Sequence, residues 1–385
     1  MSRPRIALDG RLVTWPGIHR YVHELSLTLA TRNDDLDFVW VCNPGEEARW
    51  PLRPGIEVLA TPFQPLSVQE QAAWPGWIRR HGIGLWHAPV AHHLPWASPV
   101  PLVVTMHDLI LHHLPRLAPG LAGLAYYRIA NAVAMRRARR VICISQATHD
   151  DVATVWPRAR PRLRTVPHGI AERFRRPLLP QGACPGEDWP AELPPALAAG
   201  RPYLLFVGTC KPHKNLDRLL QAYAQLPLAL REAHPLVLLV KLRDRNPQAE
   251  HTAQRLGLQP HLHWLEGVSE AQLARLYAHA RAVVLVSLME GWGAPVSEAM
   301  GSGTPAVVSQ GSAQAEIADE AGLACDALDV GSIRQALQRM LQDDALHARL
   351  SAAAMQRAAR FSWPRTALRT ADVYREALAM STGSG

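Results

Sequence analysis

Cysteine is scarce and scattered in this 385-residue chain. Its five thiols, Cys42, Cys143, Cys184, Cys210 and Cys325, are odd in number and form no C-x-x-C pair. Neither a disulfide framework nor a zinc cluster is suggested by that pattern, and a reducing cytoplasm is the expected setting. No stretch approaches the roughly 18 to 20 uncharged apolar residues of a spanning helix. Arg3-Pro4-Arg5 leads straight into the short run IAL, unlike a signal peptide. The chain also lacks a G-x-x-x-x-G-K-[ST] loop and a complete G-x-G-x-x-G, which argues against NTP hydrolysis and nicotinamide binding. Asp35-Leu36-Asp37 spells a metal-chelating Asp-x-Asp, yet it falls in a polar connection and reads as a solvated charge run. Six histidines crowd residues 87 to 113 without H-E-x-x-H or similar spacing, so no metal is expected.

What is present is an ordinary globular composition, 48% hydrophobic and 19% charged, long enough for two separate cores. Net charge is +8 and the pI about 9.6. The basic residues concentrate in Arg136, Arg137, Arg139 and Arg140, and again in Arg158, Arg160, Arg162 and Arg164. Neither cluster is interleaved with aromatics, so no nucleic-acid partner is expected. Two readings remain open for the first cluster: a solvated helix end, or peripheral contact with an anionic membrane surface.

Strand and helix patterns alternate almost throughout, which predicts α/β layers with doubly wound parallel sheets. The expected strands are Arg5–Asp9, Phe38–Cys42, Ile56–Ala60, Gly84–His87, Leu102–Thr105, Val141–Ser145 and Arg164–Pro167, then Tyr203–Gly208, Leu236–Val240, Leu262–Gly267, Ala282–Ser287 and Ala306–Ser309. The rhythm breaks in the proline-rich Arg175–Arg201, read as a linker. Residues 1–174 then form one Rossmann-like domain and 202–362 a second, with 363–385 as a closing amphipathic helix and Pro364 in its first turn.

The densest signal is Glu290 to Val308, EGWGAPVSEAMGSGTPAVV. A glycine-rich turn here follows a buried strand and opens a helix, so it sits where open α/β sheets bind ligands and where free N–H groups favour a phosphate. Two carboxylates beside such a site, Glu290 and Glu298, suit hydroxyl-rich groups that donate hydrogen bonds, such as a ribose and a sugar.

The pattern EGxGxPxxEAMxxGxP resembles the donor-site signature of glycosyltransferase family 4, retaining nucleotide-sugar enzymes of the GT-B fold. The resemblance spans nearly the whole chain and implies two Rossmann-like domains, a ligand cleft between them and a last helix that crosses back to the first domain. It implies that Glu290 serves the transferred sugar and Glu298 the ribose, with Gly291, Trp292, Gly293 and Ala294 forming the donor turn; Trp292 and Ala294 stand where the family usually has Phe and Leu, altering the walls of the sugar pocket. FVGTCKPHKNLDRLL supplies Gly208, Thr209, Lys211 and Lys214 as donor-phosphate residues, Lys214 matching the family lysine. Thr209 and His213 replace a family arginine, and Lys211 is the alternative cation. Val268 is placed at the nucleobase.

In the first half, Gly17 matches the family's G-I-G-R-Y loop, with His19 in place of its central glycine. His107, in VVTMHDLI, matches the histidine at the sugar's reacting side. His19, His87 and Asp108 are expected on the acceptor side. The resemblance thus implies a cytoplasmic, metal-independent hexosyltransferase with no cofactor beyond its nucleotide-sugar co-substrate. GDP-mannose is the preferred donor, by likeness to bacterial O-antigen mannosyltransferases, with UDP- and dTDP-sugars as alternatives. The acceptor is a saccharide or lipid-linked saccharide of cell-surface polysaccharide synthesis. An inverting or epimerising GT-B enzyme, using Asp108, and a catalytically weakened binding subunit are the competing readings.

Overall fold

A computed structural model describes residues 3–12, 17–31, 35–51, 53–175, 189–240 and 247–382. The chain divides into two compact units, residues 1–169 with 362–385 and residues 170–361. Cys184 and residues 176–188 of the proline-rich segment lie outside the described residues.

The first unit holds a seven-stranded sheet of β1 (Arg5–Asp9), β2 (Asp37–Cys42), β3 (Ile56–Ala60), β4 (Leu85–Ala88), β5 (Leu102–Met106), β6 (Arg140–Cys143) and β7 (Leu163–Thr165). Their order is β3-β2-β1-β4-β5-β6-β7 and every pairing is parallel. Alternation along the strands divides the core between the two sheet faces. Ala7, Val39, Val41, Trp86 and Val104 pack with Trp74 and Ile78 of the Val68–Arg80 helix. Ile6, Leu8, Trp40, Leu85 and Val103 pack with Tyr21, Leu25 and Leu29 of the Ile18–Ala30 helix and with Ala367, Ala371 and Tyr374 of the Trp363–Thr382 helix. The closing helix is therefore part of the first unit's core.

The second unit holds β8 (Leu204–Gly208), β9 (Leu236–Val240), β10 (Leu262–Leu265), β11 (Ala282–Leu285), β12 (Ala306–Ser309) and β13 (Gly322–Cys325), all parallel, in the order β10-β9-β8-β11-β12-β13. Residues expected as the end of the first domain and the linker belong here: Leu193 and Leu197 are buried, and Trp189 meets the ring of His279. Proline breaks an element, but it does not decide which core the neighbouring leucines join. The helical stretch after Gly331 is two helices, Val330–Gln342 and Asp344–Ala358, parted where Asp343 accepts a hydrogen bond from the Leu346 N–H at 2.8 Å.

Both sheets reverse their winding direction at one place, between β1 and β4 and between β8 and β11. At such switch points the loops leaving adjacent strands diverge and open a crevice at the carboxyl ends. In the first unit a buried ionic cluster anchors the chain there. Arg11 donates to Asp9 through Nε (2.9 Å) and Nη2 (2.7 Å) and to Glu70 through Nη1 (2.7 Å), and its guanidinium lies over Trp74. His93 is 3.4 Å from Glu70. Burial alone would raise the Asp9 and Glu70 carboxyls; Arg11 and His93 more than reverse this and hold both below the usual carboxylate range. Burial pushes His87 down to about 3.

All three groups have depressed folded-state values, so the unfolded chain takes up protons first as pH falls. Stability is expected to be full above about pH 6.5 and to drain from there toward pH 3, first through His87 and then through the carboxylates. Arg11→Met would leave two buried carboxylates without their cation and should cost roughly 3 to 5 kcal/mol in urea unfolding at pH 7.5. An unchanged midpoint would show the cluster to be energetically idle.

Candidate functional site

Glu290 leaves β11 and Lys214 leaves β8, so the second unit's switch point sets a carboxylate and a cation side by side. Lys214 Nζ pairs with Glu290 Oε1, and the Ser287 hydroxyl donates to the same oxygen at 2.9 Å. Neither bond uses Oε2. The chain contains only three lysines, Lys211, Lys214 and Lys241, and two of them sit in this loop.

The loop is held by Asn215, which adopts a left-handed conformation (φ 60°) just before the Leu216–Ala224 helix and is buried. Its amide donates to the carbonyls of Val286 (2.9 Å) and Ala327 (2.7 Å), tying the loop to the end of β11. His213 is buried next to it, and burial with the neighbouring Lys214 charge lowers its imidazole to about 4, so it is neutral at physiological pH. Gly208 and Thr209 are half-buried at the end of β8, and the Thr209 hydroxyl is buried without a partner among the described residues. Lys211 is exposed at the loop's outer turn. Val268 is half-buried, between Gly267 (φ 65°) and the capping Ser269.

The glycine-rich turn runs into the Ala294–Gly301 helix, where Pro295 suits the first turn. Gly293 is left-handed (φ 86°) at its cap, and a Cβ there would come within 2.8 Å of Gln314, so only glycine fits. Gly291 is buried and Ala294 half-buried. Two of the expected site residues are buried. Trp292 is 5% exposed, donates from its indole to Ser297 at 3.2 Å and meets the Phe361 ring edge-on. Glu298 turns inward, 4% exposed, and accepts from the Tyr277 hydroxyl at 2.9 Å.

In the first unit, Gly17 is exposed with φ 86° and precedes the Ile18–Ala30 helix; His19 is exposed and stacks on His23. His107 follows β5. Its Nε2 lies 2.8 Å from the Pro89 carbonyl, which can only accept, so Nε2 carries the proton and Nδ1 presents a lone pair. Burial lowers its ring to about 4, keeping that neutral tautomer. Asp108 accepts from the Ile110 N–H at 3.0 Å and opens the next turn. His87 departs from its expected place on the acceptor side. It is fully buried, bonded through Nδ1 to the Tyr374 hydroxyl (2.7 Å) and through Nε2 to Thr105 (2.8 Å), which in turn bonds Tyr21 (3.0 Å). Both ring nitrogens are used inside the unit, which fits support of the Tyr21 ring packed edge-on against His107.

The arginine cluster is largely committed as well. Arg137 reaches the Ser98 carbonyl, Arg139 the Met380 carbonyl, and Arg140 pairs at 2.7 Å with Glu376, which Arg164 also holds. Arg136 alone of the four has no guanidinium partner among the described residues. No helix among them is long and apolar enough to cross a membrane, and no group of three His, Cys, Asp or Glu could hold a metal ion. Sequence reasoning missed Arg11, Glu70 and His93 as a set. They are 59 and 82 residues from Arg11, and only the fold brings them together.

Residues 15–173 match the family model described as Glycosyltransferase Family 4, and residues 192–357 that described as Glycosyl transferases group 1. Between them the two models span most of the chain. The O-antigen chain mannosyltransferase B of Escherichia coli is 28% identical over 71% of this chain and 70% of its own length. Among solved structures, the sucrose-phosphate synthase of Thermosynechococcus elongatus superimposes with a TM-score of 0.75 at 20% identity, covering 98% of this chain and all of the other. Anabaena HepE, determined in complex with UDP-glucose, gives 0.72 at 18% identity over 96% and 99%. The two parallel sheets, the glycine-rich turn with its Lys214–Glu290 pair and these matches agree: the chain is a GT-B glycosyltransferase of family 4.

Proposed function

We propose that this glycosyltransferase moves a hexose, with mannose from GDP-mannose as the preferred donor, to a saccharide or lipid-linked saccharide acceptor with retention of configuration. The observation that carries the reading is the Lys214–Glu290 pair at the β8/β11 switch point, beside the unpartnered Thr209 hydroxyl. A diphosphate placed over this loop draws Lys214 to itself, and cations aimed at a departing diphosphate stabilise the charge that develops as the glycosidic bond breaks. Glu290 then accepts from a hydroxyl of the transferred sugar. In the first unit, neutral His107 keeps Nδ1 as a hydrogen-bond acceptor. The acceptor attacks the face from which the leaving group departs, and the departing phosphate takes its proton.

The mannose assignment is supported by the likeness to the Escherichia coli O-antigen chain mannosyltransferase B, and a nucleoside diphosphate sugar by the ligand in the HepE complex. UDP- and dTDP-sugars are the alternatives. Metal independence follows from assigning the diphosphate charge to Lys214, with Lys211 as the further cation. Contact with an anionic leaflet is proposed at reduced scope, through Arg136, because Arg137, Arg139 and Arg140 have partners inside the unit.

A thermal-shift panel over GDP-, UDP-, dTDP- and ADP-sugars tests the donor, since a specific ligand raises the melting temperature by mass action; GDP-mannose should give the largest shift. Glu290→Gln should lower kcat more than Glu298→Gln, by roughly tenfold or more, because a sugar contact tightens as charge develops on the reacting ring whereas a ribose contact binds both states alike. A Glu298 change that cuts kcat while the Glu290 change only raises KM would reverse the two roles. Transfer should persist in excess EDTA, and complete loss that Mg²⁺ or Mn²⁺ restores would refute the charge assignment.

A further inference from the structure

The Gly120–Arg137 helix is apolar on the side that faces water as well as on the side that faces the core. Tyr127, Ala130, Asn131, Ala134 and Met135 point inward and are buried. The outward face carries Leu121, Ala122, Ala125 and Ile129, with Leu121 87% and Ile129 54% exposed. The exposed polar side chains along the helix are all arginines, Arg128, Arg136 and Arg137. A helix at a water surface sets a polar face opposite its apolar stripe, and one that is apolar all round is ordinarily covered. The outward face of this helix therefore has the composition of a docking surface.

Charge sets the chemistry of what docks there. No Asp or Glu occurs between Asp108 and Asp150, an interval that carries six arginines. Asp108 accepts from the Ile110 N–H, and Asp151 is paired with His113 at 2.7 Å. Arg128 and Arg136 have no guanidinium partner among the described residues. The first unit contains 22 Arg and Lys against 14 Asp and Glu and the second 19 against 19, so the whole surplus of +8 lies in the unit that bears this helix. Beside Arg128, the helix walls with His112 and Trp156 a cavity of about 410 Å³ whose lining is almost entirely apolar, which extends the apolar surface past the helix itself.

Apolar side chains set among unpaired cations match a leaflet of anionic lipid, which offers phosphates to the arginines and hydrocarbon to Leu121 and Ile129. A second copy of the chain fits worse, because a two-fold contact would bring two acid-free faces together. A protein partner fits worse as well: such interfaces centre on aromatic anchors, and no exposed residue of this helix is aromatic. We propose that the outward face of the Gly120–Arg137 helix is a membrane-docking surface that inserts Leu121 and Ile129 into an anionic leaflet, with Arg128 and Arg136 at its phosphates. The inference rests on the leaflet contact proposed above for Arg136 and adds to it an apolar anchor, which salt does not screen.

Cosedimentation of the full chain with vesicles of equal parts phosphatidylglycerol and phosphatidylcholine measures binding, and the pressure rise of a monolayer of the same lipids measures insertion. The wild type should bind and raise the pressure. Leu121→Gln with Ile129→Gln should lose roughly tenfold or more in affinity together with the pressure rise, and the binding that is left should vanish at high salt. Arg128→Gln with Arg136→Gln should lose about fivefold per arginine at low salt. All four positions are exposed, so melting temperatures should not move; Leu121→Gln alone, at the more exposed apolar position, should show part of the same loss should the pair melt early. Equal affinity and an equal pressure rise in the Leu121 and Ile129 variant would overturn the anchor. Wild-type binding without a pressure rise would overturn it too while leaving the Arg136 contact standing, and no binding at low salt would remove both. A dimer in lipid-free sedimentation that the Leu121 and Ile129 changes abolish would assign the face to a second copy and overturn the proposal.

Discussion

The pairing of Lys214 with Glu290 is the constraint on which the candidate donor site depends. A lysine and a glutamate 76 positions apart can meet only because β8 and β11 are neighbours at the point where the sheet changes direction. The polar backbone around them is equally determined. Asn215 spends its amide on Val286 and Ala327, and Gly293 gives the following turn a conformation that a side chain would block at Gln314. Without a ligand the two charges neutralise each other in a half-buried setting, which limits the cost of holding both there. In the proposed reaction, an incoming diphosphate would exchange one partner of Lys214 for another. Recognition in the proposed reaction is thus a redistribution of existing bonds.

The first unit uses the opposite strategy. Its switch point is fixed by buried groups bonded to one another: Arg11 with Asp9 and Glu70, and the chain of bonds from Tyr374 through His87 and Thr105 to Tyr21. The second chain reaches Tyr21, whose ring packs edge-on against His107. The closing Trp363–Thr382 helix enters this arrangement through Tyr374, so the last helix bears on the placement of His107 from nearly three hundred residues away.

Much of this was legible in the sequence where a local pattern determines the outcome. β1, β3, β9 and β12 have the bounds their sequence patterns predict, and β9 and β12 are buried along their whole length, as a strand covered on both faces requires. β13 went unseen: GLAC has no β-branched residue, and its strand lies at the sheet edge with three of four residues not fully buried. The donor turn was readable because glycine and proline report backbone geometry directly. Side-chain direction was not. Trp292 and Glu298 sit in a recognisable motif yet turn toward Ser297 and Tyr277, and His87 at a strand end faces Tyr374. The arginines at 137, 139 and 140 looked like a free basic patch because their partners, Ser98, Met380 and Glu376, are distant in sequence.

The central claim is that Lys214 carries the donor diphosphate. Calorimetric titration of GDP and UDP into the wild type and Lys214→Met measures it most directly. A charge-assisted hydrogen bond contributes about 1.5 to 3 kcal/mol, so the account predicts a loss of roughly ten- to a hundredfold in nucleotide affinity with a shallower dependence on salt. Equal affinity in the two proteins, at low and high salt alike, would contradict it.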